Sequence, residues 1–300
     1  MTPAQALKTI LSRLEAPLVL IDVGARWGAP KQWDALIDHA EIIGFEPDLN
    51  EVERLNAQAL PNVTYLPMAL GEANSTSKTL YITQQPACSS VYPPNKILYE
   101  QYPALAEIRP QQTIQLLLES LDDVLMSRGI IEIDSIKLDT QGSELDILRG
   151  ARGILKTCSM IDIEVEFNPI YDGQPLFCDV DRFLRDEGFV LWRLSDICHY
   201  APAEDQQPPL NLMMAFSPPQ EIHNMPVRGG QIFWAQAQYV RAEFPRTGAS
   251  QLPKSSAIKA AAIVAGAGFW DLALEILSKS DSGLAEEISS TWDRCAIPPQ

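Results

Sequence analysis

The stretch KLDTQGSELDILRG (137–150) places Lys137, Asp139, Gln141 and Glu144 where an apolar run gives way to a helical pattern. A second run, IDIEVEF, carries Asp162, Glu164 and Glu166 at alternate positions. Alternate residues of a strand share a face, so the three acids fall on one side and Ile161, Ile163, Val165 and Phe167 on the other. Lys137 and Asp139 share a face for the same reason. Buried charges persist when paired or hydrogen-bonded. The expectation is therefore that Lys137 meets Glu164 or Glu166, with Asp139 nearer the open edge of the sheet. Two readings stay open: a satisfied charge network joining strand ends, or a site in which Asp139 or Glu166 takes a proton from an acceptor. A positioned base accelerates such chemistry by about 10²–10⁴-fold. His199, just past a sixth apolar run, is a third candidate base, because imidazole titrates near neutrality. Lys137 and Gln141 are placed to orient a substrate, and Tyr171 in NPIYDGQPLF (168–177) to stack on a ring. Ser143, Glu144 and Asp146 also suit a helix start, as N-cap and as complements to the helix dipole. No compact ligand triad is visible, so no metal is expected.

These residues need a framework. After an N-terminal helix near 3–15, PLVLIDVGA, EIIGFEP and NVTYLPMAL read as strands, with a helix near 48–59. DSIKLDT and SMIDIEVEF follow, separated by the helix that begins after Gly142, and FVLWRLS (189–195) and NLMMAFS (211–217) come last. Near-continuous apolar runs belong to strands covered on both faces, and alternation with helices argues for a doubly wound α/β sheet. The segment 71–127 is long for a crossover. It holds KTLYIT, TIQLLLES and the loop ACSSVYPPN, and is expected to be either a lid over the site or a surface hairpin. SPPQEIHNMPVRGG (217–230) reads as a linker, dividing a domain of 1–220 from a small, mostly helical appendage of 221–300 that holds QIFWAQAQYV and helices near 254–266 and 268–279.

The chain has 300 residues, 46% hydrophobic and 21% charged, which suits a folded globular protein. Acids outnumber bases 39 to 23, for a net charge of −16. That balance disfavours nucleic-acid partners and anionic membrane surfaces, which are held through basic residues. APLVLI is too short to span a bilayer and no secretory signal is visible, so a cytoplasmic location is expected. The five cysteines contain no C-x-x-C pair and read as reduced, packed thiols. Oligomeric state is not legible.

A cofactor pocket is suggested by the first strand, LIDVGARWG. Gly24 and Gly28 let the backbone turn and approach a ligand, with Asp22 before them and Ala25 between. Glu46 and Pro47 end the second strand about twenty residues on, where an acid can hold both hydroxyls of a ribose. Ala69 and Leu70 in MALGE offer apolar atoms for an adenine. A dinucleotide requires G-x-G-x-x-G, whereas this turn is G-x-x-x-G and has an acid that would repel a diphosphate. S-adenosylmethionine fits better.

LIDVGARWG, IIGFEP, IKLDTQGSELDILRGA and IDIEVEFNPIY, in this order, resemble the FkbM-type family of S-adenosylmethionine-dependent methyltransferases over roughly residues 18–197. The resemblance implies the class I methyltransferase fold, a Rossmann-like seven-stranded sheet whose last strand is antiparallel. It also implies methyl transfer to oxygen on a sugar, glycan or natural-product-like small molecule. Carried over by position, Asp22 and Gly24 line the methionine end of the cofactor and Glu46 holds its ribose. Two positions depart from the family: Arg26 stands where Asn is common, and Gln141 where an acid is common. Those departures keep a second expectation open, a non-catalytic module of this fold whose C-terminal part binds a protein partner.

Overall fold

The computed structural model describes residues 1–200, 230–247 and 252–291. Seven strands form its centre: β1 (Leu18–Val23), β2 (Ala40–Phe45), β3 (Val63–Leu66), β7 (Ser135–Leu138), β8 (Met160–Glu166), β9 (Phe189–Tyr200) and β10 (Gln231–Arg241). They make one sheet in the order β3-β2-β1-β7-β8-β10-β9. β10 runs antiparallel to both of its neighbours, β8 and β9, whereas the pairs among β1, β2, β3, β7 and β8 are parallel. This is the doubly wound α/β sheet expected from the apolar runs, with the antiparallel last strand that the family resemblance implies.

Both faces of the sheet are covered, which is why β1 and β2 read as nearly continuous apolar runs and the charges of β7 and β8 stand out. Leu18, Leu20, Ile42 and Met160 face α1 (Pro3–Leu11) and the helices Lys254–Gly266, Trp270–Ser280 and Ser282–Thr291. Helix α2 (Leu49–Asn56) follows β2, and α3 (Lys96–Gln101) lies within the segment 71–127. On the other face Ile21, Val23, Ile136, Leu138, Ile161, Ile163 and Val165 pack with α4 (Leu121–Ser127), α5 (Glu144–Arg149) and α6 (Phe177–Asp186). Helix α1 is fixed at its start by a reciprocal cap, in which Thr2 accepts from the Gln5 amide and Gln5 Oε1 accepts from the Thr2 amide.

Three differences from the sequence reading have physical causes. NVTYLPMAL is two strands, because Pro67 has no amide to donate and the chain turns there, with Met68 N bonded to Leu66 O. The second piece, β4 (Ala69–Gly71), leaves the main sheet and pairs with β6 (Pro110–Ser120), itself paired with β5 (Thr76–Thr83). The segment 71–127 is thus built around a small second sheet. The seventh strand is Gln231–Arg241; NLMMAFS (211–217) lies outside the described residues. QIFWAQAQYVR alternates because Phe233, Ala235, Ala237 and Tyr239 are buried while Gln236 and Gln238 lie opposite the acids Glu164 and Asp162. The expected division at 220 therefore falls between two strands of one sheet. The helical C-terminal part is present and covers the face of that sheet that carries Leu18 and Leu20.

Candidate active site

Strand register sets the polar centre. Asp22 lies opposite Lys137 on the neighbouring strand, Lys137 opposite Asp162, and Asp162 opposite Gln238. A row of polar side chains thus crosses the middle of the sheet at one level. Lys137 Nζ stands 3.4 Å from Asp22 Oδ1, 3.5 Å from Asp139 Oδ2 and 3.4 Å from the Gly24 carbonyl oxygen. The expected pairing with Glu164 or Glu166 is corrected: the ammonium bends toward β1, where the Asp22 carboxylate is completely buried. Burial raises the Asp22 carboxyl to about 6 in spite of the Lys137 ammonium, which pulls it down. For Lys137, burial acts downward but the fields of Asp22, Asp139 and Glu164 outweigh it and raise the amine.

Glu164 finds a different partner. Gln141 Nε2 donates to Glu164 Oε2 at 2.7 Å and to Asp139 Oδ1 at 3.1 Å, bridging the two carboxyl groups. The Tyr171 hydroxyl stands 3.0 Å from Gln141 Oε1 and 2.7 Å from the Cys88 carbonyl, so the amide is oriented from behind. Ser90 Oγ donates to the Gln141 carbonyl at 2.6 Å. Gln141 has φ of +59°, a left-handed conformation uncommon outside glycine, held by these bonds. Tyr171 is fully buried. It supports Gln141 from within the core and offers no ring face for stacking.

Four acids converge at this end. Burial, then repulsion from Asp139, Glu166 and Glu144, raises Glu164 well above the ordinary carboxylate range. Glu166 is raised well above it too, by burial and then Glu144. Burial lifts Glu144 to about 7, even though it accepts from Thr140 N at 2.5 Å and Gly142 N at 2.9 Å. Asp139 is the more open member of the set, with its side chain 34% exposed. The backbone bonds made by Glu144 replace the cap expected from Ser143, whose hydroxyl donates to Thr140 Oγ1 instead.

A cavity of about 600 Å³ opens beside this cluster. Gly24, Glu46, Pro47, Ala69, Leu70, Asp139 and Gln141 line it, together with Glu164 and Arg26. Gly24 has φ of +80°, and a Cβ there would overlap the Asp139 carbonyl oxygen, so only glycine brings the β1 turn this close to β7. Glu46 Oε1 accepts from Asp48 N at 2.9 Å, and burial raises this carboxyl above its ordinary value. The insertion forms a wall: Leu80, Ile82, Ile114, Leu116 and Leu118 project from β5 and β6 into the cavity. Trp27, 73% exposed, stands on the lip.

Several expected site residues lie elsewhere. Asp22, Ala25, Gly28 and Lys137 do not line the cavity; Asp22 and Ala25 are buried beneath the turn, and Asp22 acts on the site through Lys137. Glu166 is buried beyond Glu164 and does not line the cavity. His199 is part of β9, paired with Ile232 on the edge strand, because the strand continues to Tyr200 where a loop was expected; it too is absent from the lining. Sequence reading missed Tyr65, whose hydroxyl accepts from Ala29 N at 2.8 Å and props the turn after β1. It also missed the apolar wall, which alternation in KTLYIT and TIQLLLES could have shown. Among the described residues, no group of three or more His, Cys, Asp or Glu is arranged to hold a metal ion, and no helix is long and apolar enough to cross a membrane.

The arrangement suits S-adenosylmethionine. A buried acid ends β2 at one side of the cavity, apolar Ala69 and Leu70 flank it, and a glycine turn leaves backbone accessible toward Asp139. Among protein families, the model for the methyltransferase FkbM domain matches residues 22–191. The hexuronic acid methyltransferase AglP of Haloferax volcanii is 24% identical over 198 residues, covering 62% of this chain and 75% of that protein. Among solved structures, magnesium protoporphyrin IX methyltransferase from Synechocystis with bound SAM aligns at a TM-score of 0.36 and 11% identity, covering 79% of each chain. Precorrin-6y C5,15-methyltransferase from Geobacter metallireducens aligns at 0.35 and 12%, covering 80% of this chain and 87% of that one.

Proposed function

Because the chain belongs to the FkbM methyltransferase family, we propose that it methylates a hydroxyl oxygen of a sugar, glycan or similarly hydroxylated small molecule. When bound, S-adenosylmethionine supplies an electrophilic methyl group on sulfur. Glu46 would hold the ribose hydroxyls, Pro47, Ala69 and Leu70 the adenine side, and the backbone around Gly24 the amino-acid end. The observation that carries the reading is that Glu46 and the Asp139–Gln141–Glu164 cluster line the same cavity. Cofactor and proton acceptor therefore share one space.

In this reading Asp139 is the base. It is the acid of the cluster with the open face, and Lys137 and Gln141 Nε2 fix its two oxygens. As the acceptor oxygen forms its new bond to carbon, its proton passes to the Asp139 carboxylate. Alignment supplies the larger share, up to about 7–11 kcal/mol in favourable cases. The apolar wall of β5 and β6 excludes water from that alignment and favours an acceptor with an apolar flank beside its hydroxyl. The sugar is suggested by AglP, a hexuronic acid methyltransferase. A cytoplasmic location is part of the proposal, in keeping with four free thiols among the described residues.

The test is methyl transfer from labelled S-adenosylmethionine onto uronic acids, neutral glycosides and hydroxylated aromatic or macrocyclic compounds, with analysis of the methylated atom. Label on a hydroxyl oxygen supports the proposal. Label on nitrogen or carbon, or none on any acceptor with the cofactor bound, contradicts it.

A further inference from the structure

Arg26 lines the cavity from the turn after β1, and its contacts join two acids across that turn. Its Nη1 lies 3.7 Å from Glu46 Oε1, and its Nη2 donates to Asp48 Oδ2 at 3.3 Å. Asp48 is also the N-cap of α2, where its Oδ1 accepts from Asn50 N and Glu51 N. One guanidinium therefore ties the turn after β1 to the start of α2 across the end of the cavity that holds Glu46. Arg26, Glu46 and Asp48 all line that cavity.

The geometry divides the Glu46 carboxylate in two. Oε1 is engaged by the Asp48 amide and faces Arg26. Oε2 has no protein hydrogen bond among the described residues and remains available to a ligand. Such a carboxylate accepts from two adjacent hydroxyls when it is charged and held still. A lysine would place a point charge there, whereas the planar fork reaches two acids at once. We propose that Arg26 is a positioning residue for the cofactor ribose, holding Glu46 oriented and ionised through its shared contact with Asp48. The inference rests on the proposed use of Glu46 as the ribose ligand.

The electrostatic surroundings of Glu46 make the role testable. Burial raises its carboxyl, the Asp48 amide and the Arg26 guanidinium lower it, and the carboxylates of Asp48 and Glu51 raise it. Arg26 is the only side-chain cation in that set, so its removal leaves the Asp48 amide alone against burial and two acids.

The experiment is calorimetric binding of S-adenosylhomocysteine from about pH 5.5 to pH 8.5, which needs no acceptor and no turnover. Arg26→Gln is expected to bind within about threefold of wild type at the alkaline end and to lose at least about tenfold relative to wild type at the acidic end, because Glu46 takes up a proton at higher pH without the cation. Arg26→Lys should recover part of the acidic-end loss. Introducing Glu46→Gln into both wild type and Arg26→Gln should remove the difference between them at every pH. Parallel profiles for wild type and Arg26→Gln, or an affinity that rises when Arg26 is removed, overturn the inference while leaving the cofactor site intact. Failure of the wild type itself to bind overturns the site proposal, and this inference falls with it.

Discussion

Replacing Lys137 with methionine tests the polar centre of the sheet. Methionine keeps most of the stem and removes the ammonium that stands 3.4 Å from Asp22 Oδ1. The Asp22 side chain is 1% exposed, so water cannot take over. Breaking a buried pair by removing one member costs about 3–5 kcal/mol. The titration of Asp22 sets the pH dependence of that loss, over and above a cost the wild type already bears. With Lys137 present its carboxyl already stands at about 6 against an ordinary 3.8, and holding it ionised over that interval costs roughly 3 kcal/mol. Without the ammonium it rises further. A carboxyl whose folded value exceeds its unfolded value favours the fold when protonated, and that advantage is lost as pH climbs from the unfolded to the folded value. The wild type loses it between 3.8 and about 6, and the variant goes on losing it above that window. Urea unfolding should therefore show Lys137→Met destabilised by about 3–5 kcal/mol near pH 8, and by clearly less near pH 5. Asp22→Asn combined with Lys137→Met should recover much of the alkaline loss. A loss below about 1 kcal/mol near pH 8, or the same loss at both pH values, would refute the reasoning. Loss of the Asp139 contact adds little, because that side chain is one-third exposed and solvent screens it.

Three further outcomes are expected. Asp139→Asn should lower kcat by about 10²–10⁴-fold while S-adenosylhomocysteine affinity stays within about threefold, measured by label transfer and calorimetry. Gly24→Ala must place a side chain at φ of +80° and against the Asp139 carbonyl, so it should lose cofactor binding by at least about tenfold and about 1–2 kcal/mol of stability. A chain ending at residue 220 lacks the strand between β8 and β9 and the helices packed on Leu18 and Leu20, and should show no cooperative thermal transition by circular dichroism.

The runs LIDV, EIIGF and IDIEVE were legible as central strands because burial on both faces leaves little room for anything but apolar residues, and the acids stood out against that background. Parity gave the shared face of Lys137 and Asp139 correctly. It could not give register, and register places Lys137 opposite Asp22 and Asp162, two residues short of Glu164. NLMMAFS looked more like a core strand than QIFWAQAQYV, because the glutamines that face Asp162 and Glu164 break the apolar run. That Gly24 and Glu46 stand close together was readable from the turn and the strand end, which are local features, and both line the cavity. The acceptor side was harder, since Tyr171, Ser90 and Gln141 meet only through long-range folding. His199 looked like a loop residue because nothing local to it shows that β9 continues to Tyr200.

The most direct measurement is a crystal structure of the wild-type protein with S-adenosylhomocysteine. The account predicts ribose hydroxyls within about 3 Å of Glu46, the adenine between Pro47 and Leu70, and the sulfur turned toward Asp139. A nucleoside bound outside this cavity, or a sulfur directed away from the Asp139–Gln141–Glu164 cluster, would contradict it.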